Sequence, residues 1–365
     1  MSSHIERNAT VMLDNLKLKQ ERGEELELRE ICASFTLDVI ASTGFGLEVN
    51  TLKDPRNRFS TEAKKVINPN QLLFTLTVFL PELAQVLSKF GLNVLPQKSM
   101  EYFANVVDLA IEHRKREGLN GKINDFLDLV MHAEVETAIS DGGHGGHGGH
   151  GGHGGGETEL TRSEIHAQAI VLIFAGYDTV AIVLSFTLFL LANHPDSCQK
   201  VQAEIDDKCK NAFPNHDNVQ GLSYLEMCLN EAMRMFPPGI FITRKCVQNT
   251  EVQGIPIPKG MAVLVPVYAI HNDPEIFPEP TKFDPERFSP EKKASRHPFA
   301  HLGFEQGPRN CIGMRLGMVE LKIAVAAILQ KLTPVPCSKT VYPVNLNKIQ
   351  VKANDGLWVK FESRK

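Results

Sequence analysis

The amino-acid sequence predicts a mainly α protein with a minor β portion. Helical periodicity occupies most of residues 1–43, 102–116, 161–192 and 311–332, with no alternation of strand and helix through them. From Gly239 onward the texture changes to short β-branched runs punctuated by Gly and Pro. The length suits a large core or roughly two to three average domains: of 365 residues, 42% are hydrophobic and 22% charged, and the net charge is -4. That excludes a disordered chain and a small disulfide scaffold, and it offers no basic field, so no nucleic-acid partner is expected.

Residues 1–43 read as two helices joined by a charged bend around 17–25. The apolar run 72–95 is broken by Pro81, Lys89 and Gly91, which suits short paired helices with an apolar face better than a span. Residues 102–116 form an amphipathic helix with a basic last turn, and 125–135 form another. Residues 142–156 are a Gly/His tract with His144, His147, His150 and His153. Gly at that density cannot preorganise metal ligands, so the tract reads as a solvated linker between a helical part, 1–141, and a second part, 157–365. Thr161-Arg162-Ser163-Glu164 is a capping box opening the longest helix. Between Ile170 and Ala192 that helix carries one charge, Asp178, which argues for a buried core helix rather than a lipid-facing one. Strands are expected at 240–243, 246–257 and 261–267. A Pro-rich meander at 273–298, a last long helix at 311–332 and terminal hairpins within 341–362 complete the chain. The seven cysteines show no paired framework and read as reduced thiols.

Four motifs carry the chemistry. Phe304-Glu305-Gln306-Gly307-Pro308-Arg309-Asn310-Cys311-Ile312-Gly313 sets a cysteine between glycines, just ahead of a helix. Backbone amides can approach such a sulfur and stabilise a thiolate, as nucleophile or as axial ligand to haem iron. Glu231-Ala232-Met233-Arg234 puts opposite charges on one helix face, and Phe283-Asp284-Pro285-Glu286-Arg287 supplies a guanidinium able to join them. Ala175-Gly176-Tyr177-Asp178-Thr179 places an acid beside a hydroxyl inside the apolar helix, an expensive arrangement without a task.

In this order and spacing the four motifs resemble the cytochrome P-450 family, from about Ile5 to the C-terminus. Residues 35–46 and 307–315 look most like the animal microsomal clan that holds the broad-specificity drug monooxygenases and thromboxane synthase. The resemblance implies haem b (iron protoporphyrin IX) as cofactor, with Cys311 as its thiolate ligand. Arg309 and Arg244 would hold haem propionates, and Phe304, Gly313 and Ala175 would line the ring. Glu231, Arg234 and Arg287 would form a structural charge network. Thr179 and Asp178 would deliver protons to dioxygen, with Ala175 and Gly176 leaving room for it. Phe174, 240–243 and 345–351 would line a pocket for a lipophilic substrate. The implied partners are NADPH–cytochrome P-450 reductase and the membrane surface, and the implied location is the cytoplasmic face of the endoplasmic reticulum membrane.

Two departures qualify that picture. Met1 falls where the family's membrane anchor, N-terminal sheet and early helices are already past. An N-terminally truncated fold of this kind loses some propionate contacts, a pocket wall and much of the reductase-docking face. The cysteine loop also has Gly303, Phe304 and Glu305 where the family usually has Pro, Phe and Gly. A positive φ at Glu305 would cost about 1–2 kcal/mol, and a carboxylate there would disfavour a thiolate. The functions compatible with the resemblance are a monooxygenase, a thromboxane-synthase-like peroxide isomerase, or an inactive haem-binding fragment. Thr179 favours the first, because oxygen activation uses that hydroxyl and peroxide isomerisation does not.

Overall fold

Apolar residues at three- and four-residue spacing form the first helix, α1 (Ser2–Glu21), whose buried face is Ile5, Ala9, Met12, Leu13 and Leu16. The computed structural model describes residues 2–68, 93–117, 125–128, 161–347 and 351–364, with positions 73, 76, 83, 86 and 87. The rest of the 72–95 segment and of the 125–135 helix, the Gly/His tract and residues 348–350 lie outside the described residues.

After α1 come β1 (Leu26–Glu27), α2 (Leu28–Phe45), α3 (Arg58–Ile67), α4 (Gln97–Glu117), α5 (Arg162–Asn193), α6 (Pro195–Cys209), α7 (His216–Val219) and α8 (Ser223–Met235). Then follow β2 (Ile242–Lys245), β3 (Thr250–Val252), β4 (Ile255–Ile257), β5 (Ala262–Val265), α9 (Val267–His271), a 3-10 turn (Pro285–Phe288) and α10 (Pro290–Ser295). The chain closes with α11 (Met314–Leu329), β6 (Leu332–Val335) and β7 (Trp358–Ser363). The mainly α expectation with a minor β part is met.

Local chemistry sets the boundaries. The Glu164 carboxylate accepts the Thr161 amide at 2.8 Å, and Thr161 Oγ1 accepts the Glu164 amide at 3.3 Å, so the capping box opens α5 as the spacing predicts. The expected strand 246–257 is instead a β3–β4 hairpin, because Gln253 (φ 52) and Gly254 (φ 81) turn the chain through two left-handed residues. The last helix begins at Met314 and ends at Leu329, shorter than 311–332. Residues 311–313 belong to the cysteine loop and Leu332 opens a strand. In the terminal region the described residues give one long strand, β7, between β1 and β6, and an antiparallel bridge from Leu346 to Ala353.

The described chain forms two compact units. The first, Ser34–Asp178, has an aromatic core in which Phe103 packs edge-on to Phe59 (5.2 Å) and Phe174 (5.3 Å). Buried Asp38 accepts the amides of Thr51 (2.7 Å) and Leu52 (3.0 Å), fixing the turn after α2. Gly176 lies so close to α2 that a β-carbon there would sit 2.7 Å from Ile40 Cδ1. Its missing side chain therefore serves helix packing.

The second unit joins Ser2–Ala33 to Thr179–Lys365. Its core is α11 packed against α1, with Leu321 and the run from Ile323 to Leu329 buried. The antiparallel sheet β1-β7-β6 covers one end, in the register Leu26 to Val359 and Leu332 to Ser363. By length and composition α5 could cross a membrane. Within this unit, however, every residue from Ala181 to Ala192 is buried, the state of a core helix.

Candidate functional site

The cysteine loop is closed by its own backbone. Phe304 O accepts the Cys311 amide at 2.9 Å, Leu302 O accepts the Glu305 amide at 3.0 Å, and Gly307 O accepts the Asn310 amide at 3.1 Å. Two left-handed residues, Glu305 (φ 59) and Gly307 (φ 88), turn the chain back on itself. Gly307 adopts that conformation freely. Glu305 has a β-carbon and carries about 1–2 kcal/mol of strain, as its position in the loop leads one to expect. Cys311 is then delivered next to the N-terminus of α11, which Gly313 caps.

Of the seven cysteines, all free, Cys311 is the exposed one. Burial pushes the Cys32, Cys198 and Cys228 thiols up, so they remain protonated core residues. Ile312 beside Cys311 is 100% exposed, and Arg309 is exposed with no ion pair among the described residues. Arg244 is fixed on β2 by pairing with Val263 of β5, and its guanidinium is also exposed. A free thiol beside a bare apolar side chain and arginines complements a planar apolar ring that bears carboxylates and a sulfur-binding metal. The donor set fits an iron porphyrin.

Gly303, where the family resemblance anticipates Pro, has a packing reason. A β-carbon at 303 would lie 2.9 Å from His301 Cε1 and 3.3 Å from Met233 Cβ. The His301 ring, stacked on His271 with centroids 5.2 Å apart, already fills that volume.

A charge network surrounds Glu231. On α8, Arg234 Nε donates to Glu231 Oε2 (2.7 Å) and Nη2 to Oε1 (2.9 Å), with both side chains fully buried. Arg234 also donates to the carbonyls of His271 and Pro280, both at 2.8 Å, pinning the meander. Arg287 Nε lies 3.3 Å from Glu231 Oε1, an ion pair without hydrogen-bond alignment, while its Nη2 donates to Glu279 O at 2.9 Å. Burial pushes the Glu231 carboxyl up from the usual carboxylate range, and the Arg234 hydrogen bonds oppose that push. Two guanidiniums around one carboxylate keep it ionised.

Sequence reasoning missed His271, since nothing in the pattern marks the histidine that ends α9. Its Nδ1–H donates to Arg234 O at 3.2 Å and its Nε2 accepts the Leu302 amide at 2.8 Å, so one ring ties the network to the cysteine loop. Acceptance at Nε2 requires the neutral ring, and burial lowers its pKa from 6.5 to about 4. The unfolded chain takes up this proton near pH 6.5 and the folded chain only near 4. The stabilisation is therefore complete above pH 6.5 and is lost as pH falls toward 4, by on the order of 3 kcal/mol. Urea midpoints will descend between pH 7.5 and 5 with a slope that His271→Gln reduces; equal slopes in the two proteins would refute this assignment.

Thr179 and Ala175 stand one turn apart on an open face of α5, with Val171 (63% exposed) a turn earlier and Asp178 half-buried beside them. Thr179 belongs to the second unit, as do Cys311, Phe304, Gly313, Arg309, Arg244 and the charge network, whereas Ala175 and Asp178 belong to the first. On the loop's surface lies a cavity of about 1020 Å³, lined by Phe304 and by Lys293, Arg296, Arg315 and Lys322, with Glu226 and Glu305 as its carboxylates.

A family model described as Cytochrome P450 matches residues 1–357. Cytochrome P450 3A41 of Mus musculus is 36% identical over 348 residues, 94% of this chain and 66% of that protein. Cytochrome P450 3A31 of Mesocricetus auratus is 37% identical over 347 residues, with the same two coverages. Cytochrome P450 3A7 of Homo sapiens is 36% identical over 346 residues, 92% of this chain and 64% of that protein. The chain thus spans just under two thirds of the length of these relatives.

Proposed function

The chain belongs to the cytochrome P450 family, and from that premise we propose that it carries the catalytic core of a haem-thiolate monooxygenase, with 157–365 as the haem-binding part. The reaction places one atom of dioxygen into a lipophilic substrate such as a steroid, fatty acid or xenobiotic. The other atom leaves as water, with two electrons from NADPH–cytochrome P450 reductase and two protons. The observation that carries this reading is Cys311, the one exposed thiol, held in a backbone-closed loop at a helix N-terminus.

Haem b is the cofactor of the family, and when bound it supplies the iron at which dioxygen is activated. Cys311 would hold the iron as a thiolate, an anion that the loop amides and the α11 N-terminus favour. Arg309 and Arg244 would receive the two carboxylates, and Phe304, Gly313 and Ala175 would bound the ring. The Thr179 hydroxyl would hold and deliver a proton on the dioxygen side, resupplied from the Asp178 carboxyl next to it in sequence. Phe174, 240–243 and 345–351 would line the substrate pocket. The cationic lining of the 1020 Å³ cavity suits an acidic reductase surface. The 72–95 segment lies against the endoplasmic reticulum membrane on its cytoplasmic face.

The ferrous–carbon monoxide difference spectrum of the haem-loaded chain tests the assignment. A red-shifted Soret band supports thiolate ligation; a band at the position typical of imidazole or thiol ligands refutes it. NADPH-dependent turnover separates the monooxygenase from a peroxide isomerase, which consumes no electrons. Thr179→Ala will lower product formed per NADPH oxidised by about 10-fold or more while substrate binding stays within two-fold, in keeping with the weight of a general acid. Unchanged coupling would remove Thr179 from proton delivery.

A further inference from the structure

Arg244 is already in use. Its Nη2 donates to Glu305 Oε2 at 2.6 Å and its Nη1 to Thr243 O at 2.9 Å, whereas Arg309 and Arg315, also exposed near Cys311, make no ion pair among the described residues. Glu305 reaches Arg244 from a left-handed backbone position that disfavours any residue with a β-carbon, so a strained residue of the cysteine loop is the one that places an anion on the guanidinium. Resting on the haem-binding reading above, we propose that Glu305 is an internal stand-in for a cofactor carboxylate. Haem is taken up by exchange, a propionate replacing Glu305 at Arg244.

The pair's setting suits exchange. Both side chains are partly open to solvent, 44% for Arg244 and 37% for Glu305, and exposed ion pairs are weak enough to open readily. The guanidinium fork accepts either carboxylate with the same geometry, so the exchange conserves charge at Arg244. It leaves the Glu305 carboxylate free in the loop that carries the sulfur. Cofactor uptake is thereby handicapped by a group the protein itself supplies. The pair also accounts for the loop carboxylate that the sequence flagged as adverse to a thiolate: before uptake its charge is met by Arg244.

The experiment is a titration with haem, followed at the Soret band, of the wild-type chain, Glu305→Gln, Arg244→Gln and the double variant. A parallel titration uses haem dimethyl ester, which has no free carboxylate. Gln keeps the left-handed backbone of residue 305 and removes only the charge. Glu305→Gln will tighten haem binding by about two- to five-fold, the range open to an exposed pair. It will leave the affinity for the dimethyl ester unchanged and have no effect on haem in the Arg244→Gln background. Weaker or unchanged haem binding by Glu305→Gln would overturn the proposal, the former by making the pair a tether that positions the loop. An equal gain with the dimethyl ester would also overturn it, since the charge would then act on the iron or sulfur. No Soret uptake by any of the four proteins would refute the haem reading itself, whereas uptake in the wrong pattern refutes only the exchange.

Discussion

Glu231→Ala will lower the unfolding free energy by about 3–5 kcal/mol, the usual consequence of leaving a buried charge without its partner. A domain of ordinary stability has only about 5–15 kcal/mol to lose, so a large fraction of the chain will be unfolded under mild denaturant. Glu231 stands between two guanidiniums, and both it and Arg234 are fully buried, so neither arginine can turn to water when the carboxylate is gone. The damage will spread. Arg234 holds the His271 carbonyl, and His271 in turn accepts the Leu302 amide at the root of the cysteine loop. Glu231→Gln, which keeps the shape, will be nearly as harmful because the charge is what the arginines need. Urea unfolding followed by the fluorescence of Trp358 measures the loss. Glu112→Ala serves as the control: it removes an exposed pair with Arg116 and will cost no more than about 0.5 kcal/mol. A loss for Glu231→Ala as small as the control's would mean that the network is decoration.

Cys311→Ala will abolish the red-shifted carbonyl spectrum altogether while leaving the fold in place. Cys311 is exposed, and the bond that closes its loop runs from its amide rather than its sulfur. Circular dichroism melting temperatures will therefore agree within about 2 °C, since surface substitutions without a structural role are nearly neutral. Cys246→Ala and Cys337→Ala, the other two cysteines outside the core, will keep the band. Its survival in Cys311→Ala would place the ligand elsewhere and sink the assignment built on the loop.

Much of this was legible because the chemistry is local. The Thr161–Glu164 box, the i,i+3 spacing of Glu231 and Arg234 and the glycines around Cys311 are each decided within a few residues, and they emerge where the sequence puts them. What was not legible depends on neighbours distant in sequence. That Gly176 serves packing could not be read from its motif, because the reason is Ile40. That Gly303 replaces an expected Pro makes sense only once the His301 ring is found against it. Arg244 and Glu305 could each be picked out, but not their bond to one another. The turn at Gln253 and Gly254 was missed for a local reason: β-branched residues on both sides gave the segment the look of one strand.

The position of β7 bears on how the chain is made. Leu26 of β1 has its partner at Val359, so this pairing cannot form until the chain has been made through β7. Synthesis delivers α1 and β1, with an apolar face and an open strand edge, long before their partners α11 and β7. For that interval the early segment depends on other contacts or on a chaperone. A nascent chain stalled short of Met314 will expose both surfaces together, making pauses between β1 and α11 costly for this protein.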